Sequence, residues 1–276
     1  MSAASASTGR WADLSRRVAS AAVLLAIGVM LALSVGVSLR IGMSAIIALT
    51  FWELARLTGW RRPELHGDVF GRWRPATLAG LGGFCVFLAL MWPNPFSVVA
   101  LLIPILSGLP GAARGNRAVF AIFGIAILLV GFGLTGFREA LGLPFILWLM
   151  GIVIVSDILG YFAGKLIGGP KFWPRLSPKK TWSGTVAGWI GASMVGAALW
   201  LTGHGDPTLV WLSPLVALAG QLGDIAESWL KRRVGVKDSS NLIPGHGGFM
   251  DRFDAVSGAT LAVMAIGFIT ALPKVF

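Results

Sequence analysis

Residues 228–254 read SWLKRRVGVKDSSNLIPGHGGFMDRFD, and the setting of this stretch decides the fold. An apolar run near 208–230 leads into it, and another near 255–273 follows it. The stretch holds Lys231, Arg232, Arg233, Lys237 and Arg252, with Asp238, Asp251 and Asp254 among them. A Pro-Gly-His-Gly-Gly turn occupies 244–248. Just upstream, QLGDIAES at 221–228 puts Asp224 and Glu227 inside the first apolar run. A chain that is only 13% charged has concentrated its charge between two greasy helices.

The rest of the chain has the same apolar character. It is 55% hydrophobic over 276 residues, with a mean hydropathy of +0.78. A soluble domain carries about 25% charged residues, whereas runs of about 18–20 apolar residues indicate membrane spans. Further runs fall near 18–36, 41–57, 76–92, 96–111, 118–137, 143–166 and 185–203, which makes nine in all. Residues 1–17 are expected to be a disordered basic lead, and 18–276 a single polytopic membrane domain. The single cysteine, Cys85, excludes an internal disulfide and a cysteine zinc site. The expected fold is all-α, with about nine transmembrane helices.

Loop charge sets the orientation. With a cytoplasmic N-terminus, 20 of the 23 Lys and Arg fall on the cytoplasmic side, and only Arg40, Arg138 and Lys274 fall outside. This is the positive-inside pattern. The formal net charge of +11 is thereby explained by topology, and no nucleic-acid partner is expected. Three cytoplasmic loops, near 57–75, 165–184 and 231–254, are left to carry the chemistry. Trp60, Trp73 and Trp173 beside them suit the headgroup level.

Carboxylates do not belong in lipid unless they face a bundle interior or a wet cavity. Glu53, Asp157, Asp224 and Glu227 are four such groups. Glu53 has Arg56 at i+3, and Glu227 has Lys231 at i+4. Asp224 has no basic neighbour at either spacing, so its partner is expected elsewhere in space or in a metal ion. Asp157 opens DILGYFAGKLIGG (157–169), where Gly160, Gly164, Gly168 and Gly169 permit close backbone approach. SPKKTWSG (177–184) then gathers Ser177, Lys179, Lys180, Thr181 and Ser183 ahead of a helix, a composition suited to a phosphate. Hard oxygens at Asp224 and Asp251 suit magnesium. Residue type alone therefore leads to a magnesium-assisted event on phosphates at the cytoplasmic face. It leaves open a reaction or a binding event, a transporter of an anionic solute among the latter.

Residues 228–254 resemble the CDP-diacylglycerol synthase (phosphatidate cytidylyltransferase) family. The matching positions are Ser228, Lys231, Arg232, Lys237, Asp238, Pro244, His246, Gly247, Gly248, Asp251, Arg252 and Asp254. QLGDIAES and SPKKTWSG are similar to two further family motifs, so the likeness covers most of 157–258. It departs at Ser183, where a glutamate is expected in many relatives. The resemblance implies that phosphatidic acid and CTP give CDP-diacylglycerol and pyrophosphate, with Mg2+ as cofactor held by Asp224 and Asp251. It assigns Lys231, Arg232, Lys237 and Arg252 to the CTP phosphates or the departing pyrophosphate. Ser177, Lys179, Lys180, Thr181, Ser228, His246, Gly247 and Gly248 are expected to contact substrate, and Asp238 and Asp254 to orient the basic side chains. CTP, phosphatidic acid and the bilayer are the implied partners, with a homodimer as a permitted assembly. A bacterial inner membrane is the implied location.

Overall fold

The computed structural model describes residues 3–59 and 69–275, with side chains over 17–59 and 75–275. Trp60, with residues 60–68 of the loop expected near 57–75, lies outside the described residues, as does the side chain of Trp73; from Val69 onward that expected loop is the first part of α3. Nine helices carry the described chain: α1 (Ala3–Leu33), α2 (Gly36–Thr58), α3 (Val69–Met91), α4 (Pro95–Ala100), α5 (Leu102–Gly108), α6 (Arg117–Leu166), α7 (Trp182–Leu201), α8 (Leu209–Arg233) and α9 (Met250–Ile269). Helical backbone thus runs from Ala3 through the segment expected to be a disordered lead.

Five helical segments among the described residues are long and apolar enough to cross a membrane: Gly36–Thr58, Arg114–Leu166, Trp182–Leu201, Leu209–Arg233 and Met250–Ile269. The nine apolar runs of the sequence map onto helix throughout, but not one to one. The runs near 118–137 and 143–166 join into α6, 50 residues long, which breaks at Gly142 (φ 82°, ψ −177°) just before Pro144. Proline disfavours helical geometry in the residue before it and removes a backbone donor, and glycine takes the left-handed φ without a Cβ clash. The run near 96–111 is divided between α4, α5 and a 3-10 turn, and its proline-capped start at Asn94 is closed by a reciprocal Asn94–Ser97 capping box.

The all-α expectation needs one correction. Lys171–Trp173 (β1) and Ser177–Thr181 (β2) form an antiparallel hairpin, pairing Lys171 with Thr181 and Trp173 with Ser177. Gly168 and Gly169, at φ 68° and 99°, turn the chain out of α6 into it rather than packing helices together. Thr181 then caps α7, its Oγ1 accepting from Gly184 N at 3.2 Å.

Two buried clusters hold the bundle. One centres on Trp148, Phe145 and Leu149 of α6, with Leu212 and Val216 of α8 and Val263 of α9. Trp148 Nε1 satisfies its buried donor on Ser213 Oγ at 3.0 Å. The other centres on Phe51, whose ring meets Phe120 edge-on at 5.6 Å. The outside is apolar as well: Met30, Ile122, Met194 and Phe268 are all exposed. Such a perimeter is a liability in water and the expected surface in hydrocarbon.

Backbone and side-chain contacts sort the helix ends into two groups. At one end Ala113 N donates to Thr58 O at 3.0 Å, Arg233 reaches Gly115 O at 2.7 Å, and Ser20 Oγ reaches Pro244 O at 3.0 Å. At the other end Arg40 grips Glu139 with two bonds of 2.8 and 3.0 Å, and Arg138 Nε donates to Ala32 O at 2.6 Å. The polar stretch 234–249 belongs to the first end.

Candidate active site

Two glycine crossings bring the site together. On the α8–α9 seam, a Cβ at Gly223 would stand 2.4 Å from Asp254 O, and one at Gly258 would stand 2.2 Å from Ala219 O. On the α6–α7 seam, a Cβ at Gly184 would stand 2.4 Å from Gly160 O. Only glycine lets backbones approach this closely. The first crossing sets Asp224 against Asp254. The second carries the hairpin over Asp157 and lets Lys180 pair with Asp224. The partner in space that Asp224 lacked along its own helix is therefore a lysine from β2.

Lys231, in the last turn of α8, lies between two carboxylates. Its Nζ is 2.6 Å from Asp251 Oδ1 and 3.3 Å from Glu227 Oε1. The i+4 pair read from the sequence forms, but it is shared. The contact to Glu227 has ion-pair length without hydrogen-bond geometry, and both Glu227 oxygens are buried with no hydrogen-bond partner. Asp251 is oriented more completely. Its Oδ2 accepts from Ser239 N at 2.9 Å, Ser239 Oγ at 2.9 Å and Gly248 N at 2.8 Å.

The Pro-Gly-His-Gly-Gly segment folds back on itself, with Ile243 N donating to Gly247 O at 2.8 Å. Gly247 (φ 82°) lies where a Cβ would be 2.8 Å from Asp251 Oδ2. His246 Nδ1 is 2.7 Å from Ser20 Oγ of α1. Arg252 donates through Nε and Nη2 to His246 O, at 3.2 and 2.7 Å, so it braces the turn. Ser228 Oγ stands 3.5 Å from Asp224 Oδ1.

The other basic residues divide by partner. Lys179, Arg232 and Lys237 are exposed and make no hydrogen bond or ion pair among the described residues. Arg233 packs over Trp229 at 5.4 Å and is tied to the turn near 115–116. Asp238 and Asp254, expected to orient basic side chains, form no ion pair among the described residues. Asp254 instead accepts from Ala255 N at 2.7 Å. Ser177 is half-buried in β2, and Ser183 donates to Gly168 O.

Spacing along the chain missed one group. Glu53 does not pair with Arg56, whose guanidinium lies over Trp52 at 4.6 Å. Its carboxylate meets Ser239, Ser240 and the first amides of α9. Its only sequence signal was a carboxylate inside an apolar run.

Carboxylate oxygens are the kind of donor magnesium takes, and Asp224 and Asp251 each hold theirs against a lysine. Asp224 faces Lys180 on one side and Asp254 on the other, while Glu227 and Asp251 flank Lys231, and neither Glu227 oxygen has a hydrogen-bond partner. No three acidic, histidine or cysteine side chains among the described residues converge as a ready cage. Magnesium does not require one, since it keeps several waters and takes one or two carboxylates plus substrate phosphates.

Comparison with known proteins identifies the family. Residues 15–270 match the profile of the family described as "Cytidylyltransferase family". The chain is similar to a phosphatidate cytidylyltransferase of Brucella abortus biovar 1 (strain 9-941), 43% identical over 143 residues, covering 50% of this chain and 52% of the relative. It is also similar to one of Helicobacter pylori (strain ATCC 700392 / 26695), 39% identical over 137 residues, covering 49% and 51%. A third, from Staphylococcus saprophyticus, is 38% identical over 148 residues, covering 50% and 54%. The chain spans about half the length of the curated relatives it matches.

Proposed function

Because the chain belongs to the cytidylyltransferase family, we propose that it transfers the cytidylyl group of CTP to phosphatidic acid, giving CDP-diacylglycerol and pyrophosphate for phospholipid synthesis. The observation that carries this is the meeting of Lys180, Asp224, Lys231 and Asp251 from three separate segments, with Lys179, Arg232 and Lys237, unpaired among the described residues, nearby in sequence.

An oxygen of the lipid phosphate attacks the α-phosphorus of CTP. A new P–O bond forms there as the bond from the α-phosphorus to the β-phosphate oxygen breaks, and pyrophosphate carries away the electron pair. The lipid phosphate is already anionic near neutral pH, so His246 is not needed as a base. Its bond to Ser20 gives it a role in holding the turn against α1. Lys179, Arg232 and Lys237, which make no hydrogen bond or ion pair among the described residues, would take triphosphate or lipid phosphate oxygens. Asp224 and Asp251 would hold magnesium, which when bound offsets charge on the phosphate oxygens.

Nine spans with a cytoplasmic N-terminus give the best account of the two groups of helix ends. The end holding Thr58, Ala113, Arg233 and Pro244 is the side rich in Lys and Arg, and the end holding Arg40 and Arg138 is the poor side. A cytoplasmic membrane face of a bacterial cell suits the reaction, because CTP stays in water and the lipid stays in the bilayer.

The test is pyrophosphate release by detergent-purified protein given CTP and phosphatidic acid, with magnesium and then with EDTA. Release that requires both substrates and the metal, with CDP-diacylglycerol as lipid product, is the expected result. No release from folded protein with well-mixed micelles would overturn it.

A further inference from the structure

Glu53 lies within apolar α2 and is fully buried. Its Oε1 accepts from Ser240 Oγ and from Phe249 N at 2.9 Å; its Oε2 accepts from Ser239 Oγ at 3.2 Å and Met250 N at 2.6 Å. Residues 239–250 supply every one of these donors, almost 200 positions further along the chain. The N-cap residue of α9, Phe249, has no side-chain cap of its own. The oxygens that satisfy the opening amides of α9 therefore come from α2. Gly248 makes room for them, since a Cβ there would stand 2.4 Å from Glu53 Oε1 and closer still to Ser239 Oγ.

Ser239 links this latch to the site. Its single hydroxyl lies 3.2 Å from Glu53 Oε2 and 2.9 Å from Asp251 Oδ2. One proton serves both carboxylates, which ties them into one unit. An apolar side chain at 53 would fill the same space without desolvating a charge. A buried carboxylate at this position needs a reason beyond packing.

We propose that Glu53 is a positioning residue: from α2 it fixes the start of α9 and, through Ser239, the placement of Asp251 for the reaction. The proposal rests on the cytidylyltransferase reading. In Glu53→Gln, either orientation of the amide sets its NH2 against a backbone N–H of Phe249 or Met250, which cannot turn away.

The experiment compares wild type, Glu53→Gln, Ser239→Ala, the double variant and Thr50→Val. Thr50, one turn away on α2, donates only to Ile46 O at 2.9 Å and reports general damage to that helix. Turnover, KM for CTP and amide exchange over 238–251 are measured on monodisperse protein. In Glu53→Gln, kcat should fall on the order of 10–100-fold, the scale of a roughly 1 Å misplacement, with KM for CTP within about threefold. Exchange at Phe249 and Met250 should quicken by about tenfold or more, and Thr50→Val should keep wild-type kcat. The double variant should be about as slow as the slower single, because both act through one contact chain. A Glu53→Gln kcat within twofold of wild type, multiplying effects in the double variant, or unchanged exchange would each overturn the proposal. If wild type releases no pyrophosphate, the cytidylyltransferase reading fails by itself. Exchange then decides the latch: faster exchange in Glu53→Gln supports it, and unchanged exchange overturns it.

Discussion

Substituting Gly223 by alanine should separate activity from stability. The added Cβ would stand 2.4 Å from Asp254 O and 3.0 Å from Gly258 Cα, and both are backbone atoms. Ordinary contact begins at 3.4 Å, so 3.4 minus 2.4 leaves a shift of 1.0 Å for the helices to absorb. Overpacking of this kind costs about 1–3 kcal/mol. Replacing glycine by alanine inside a helix returns about 1 kcal/mol. The net loss is then about 0–2 kcal/mol, and the melting temperature should fall by only a few degrees. Activity should suffer more, because the shift acts directly on Asp224, next in sequence, and on Asp254 across the seam. Displacements near 1 Å cost on the order of 100-fold in rate. The assay is pyrophosphate release per mole of monodisperse protein, paired with a melting curve in the same detergent. Gly80→Ala is the control, since nothing lies within 4 Å of the Cβ it would add. Wild-type turnover in Gly223→Ala would refute the claim that this crossing sets the catalytic geometry.

Asp251→Asn should lose turnover by about 100-fold or more, the scale of removing one preorganised electrostatic group, while still purifying as folded protein; near-normal turnover would contradict its assignment. Neighbouring arginines should part company. Arg232→Ala should raise KM for CTP by about tenfold, as expected for one charge-assisted phosphate contact. Arg233→Ala should leave KM unchanged and lower stability by about 0.5–1 kcal/mol, read as a small drop in melting temperature. Lys231→Met should destabilise by about 3–5 kcal/mol, because it leaves Glu227 and Asp251 facing each other unpaired. Magnesium should raise its melting temperature more than it raises that of wild type.

The sequence exposed those parts of the fold that depend on local pattern. Apolar runs located the helices, and the gap between the runs near 118–137 and 143–166 contains Gly142, where α6 breaks. It could not foresee that SPKKT would pair with KFW as a hairpin, since two short strands carry no periodic signal. The i+4 rule found Glu227 with Lys231, and the missing i+4 partner of Asp224 rightly directed attention to another segment. No rule of spacing could join Lys180 to Asp224 or Glu53 to Ser239 and the start of α9. Those pairings come from helix crossings, and the glycines that permit them look the same in sequence as any other glycine in a membrane helix.

The basic residues that looked alike in sequence do different work. Lys180 is held against Asp224, and Lys231 lies between Glu227 and Asp251 and keeps that pair from repelling. Arg252 and Arg233 are committed to carbonyl oxygens of neighbouring turns. Lys179, Arg232 and Lys237 make no hydrogen bond or ion pair among the described residues, which is why they are the ones proposed for substrate anions. Loss of activity on removing Lys231 is therefore not evidence that it touches a phosphate, because the same change unbalances Asp251 and Glu227. The distinction lies in KM. A phosphate-binding cation should raise KM for CTP with little effect on melting, whereas a charge-balancing lysine should lower stability first and respond to added magnesium. If magnesium is held as proposed, CTP should bind weakly in EDTA even with every lysine and arginine in place, and unchanged CTP binding in EDTA would refute that assignment.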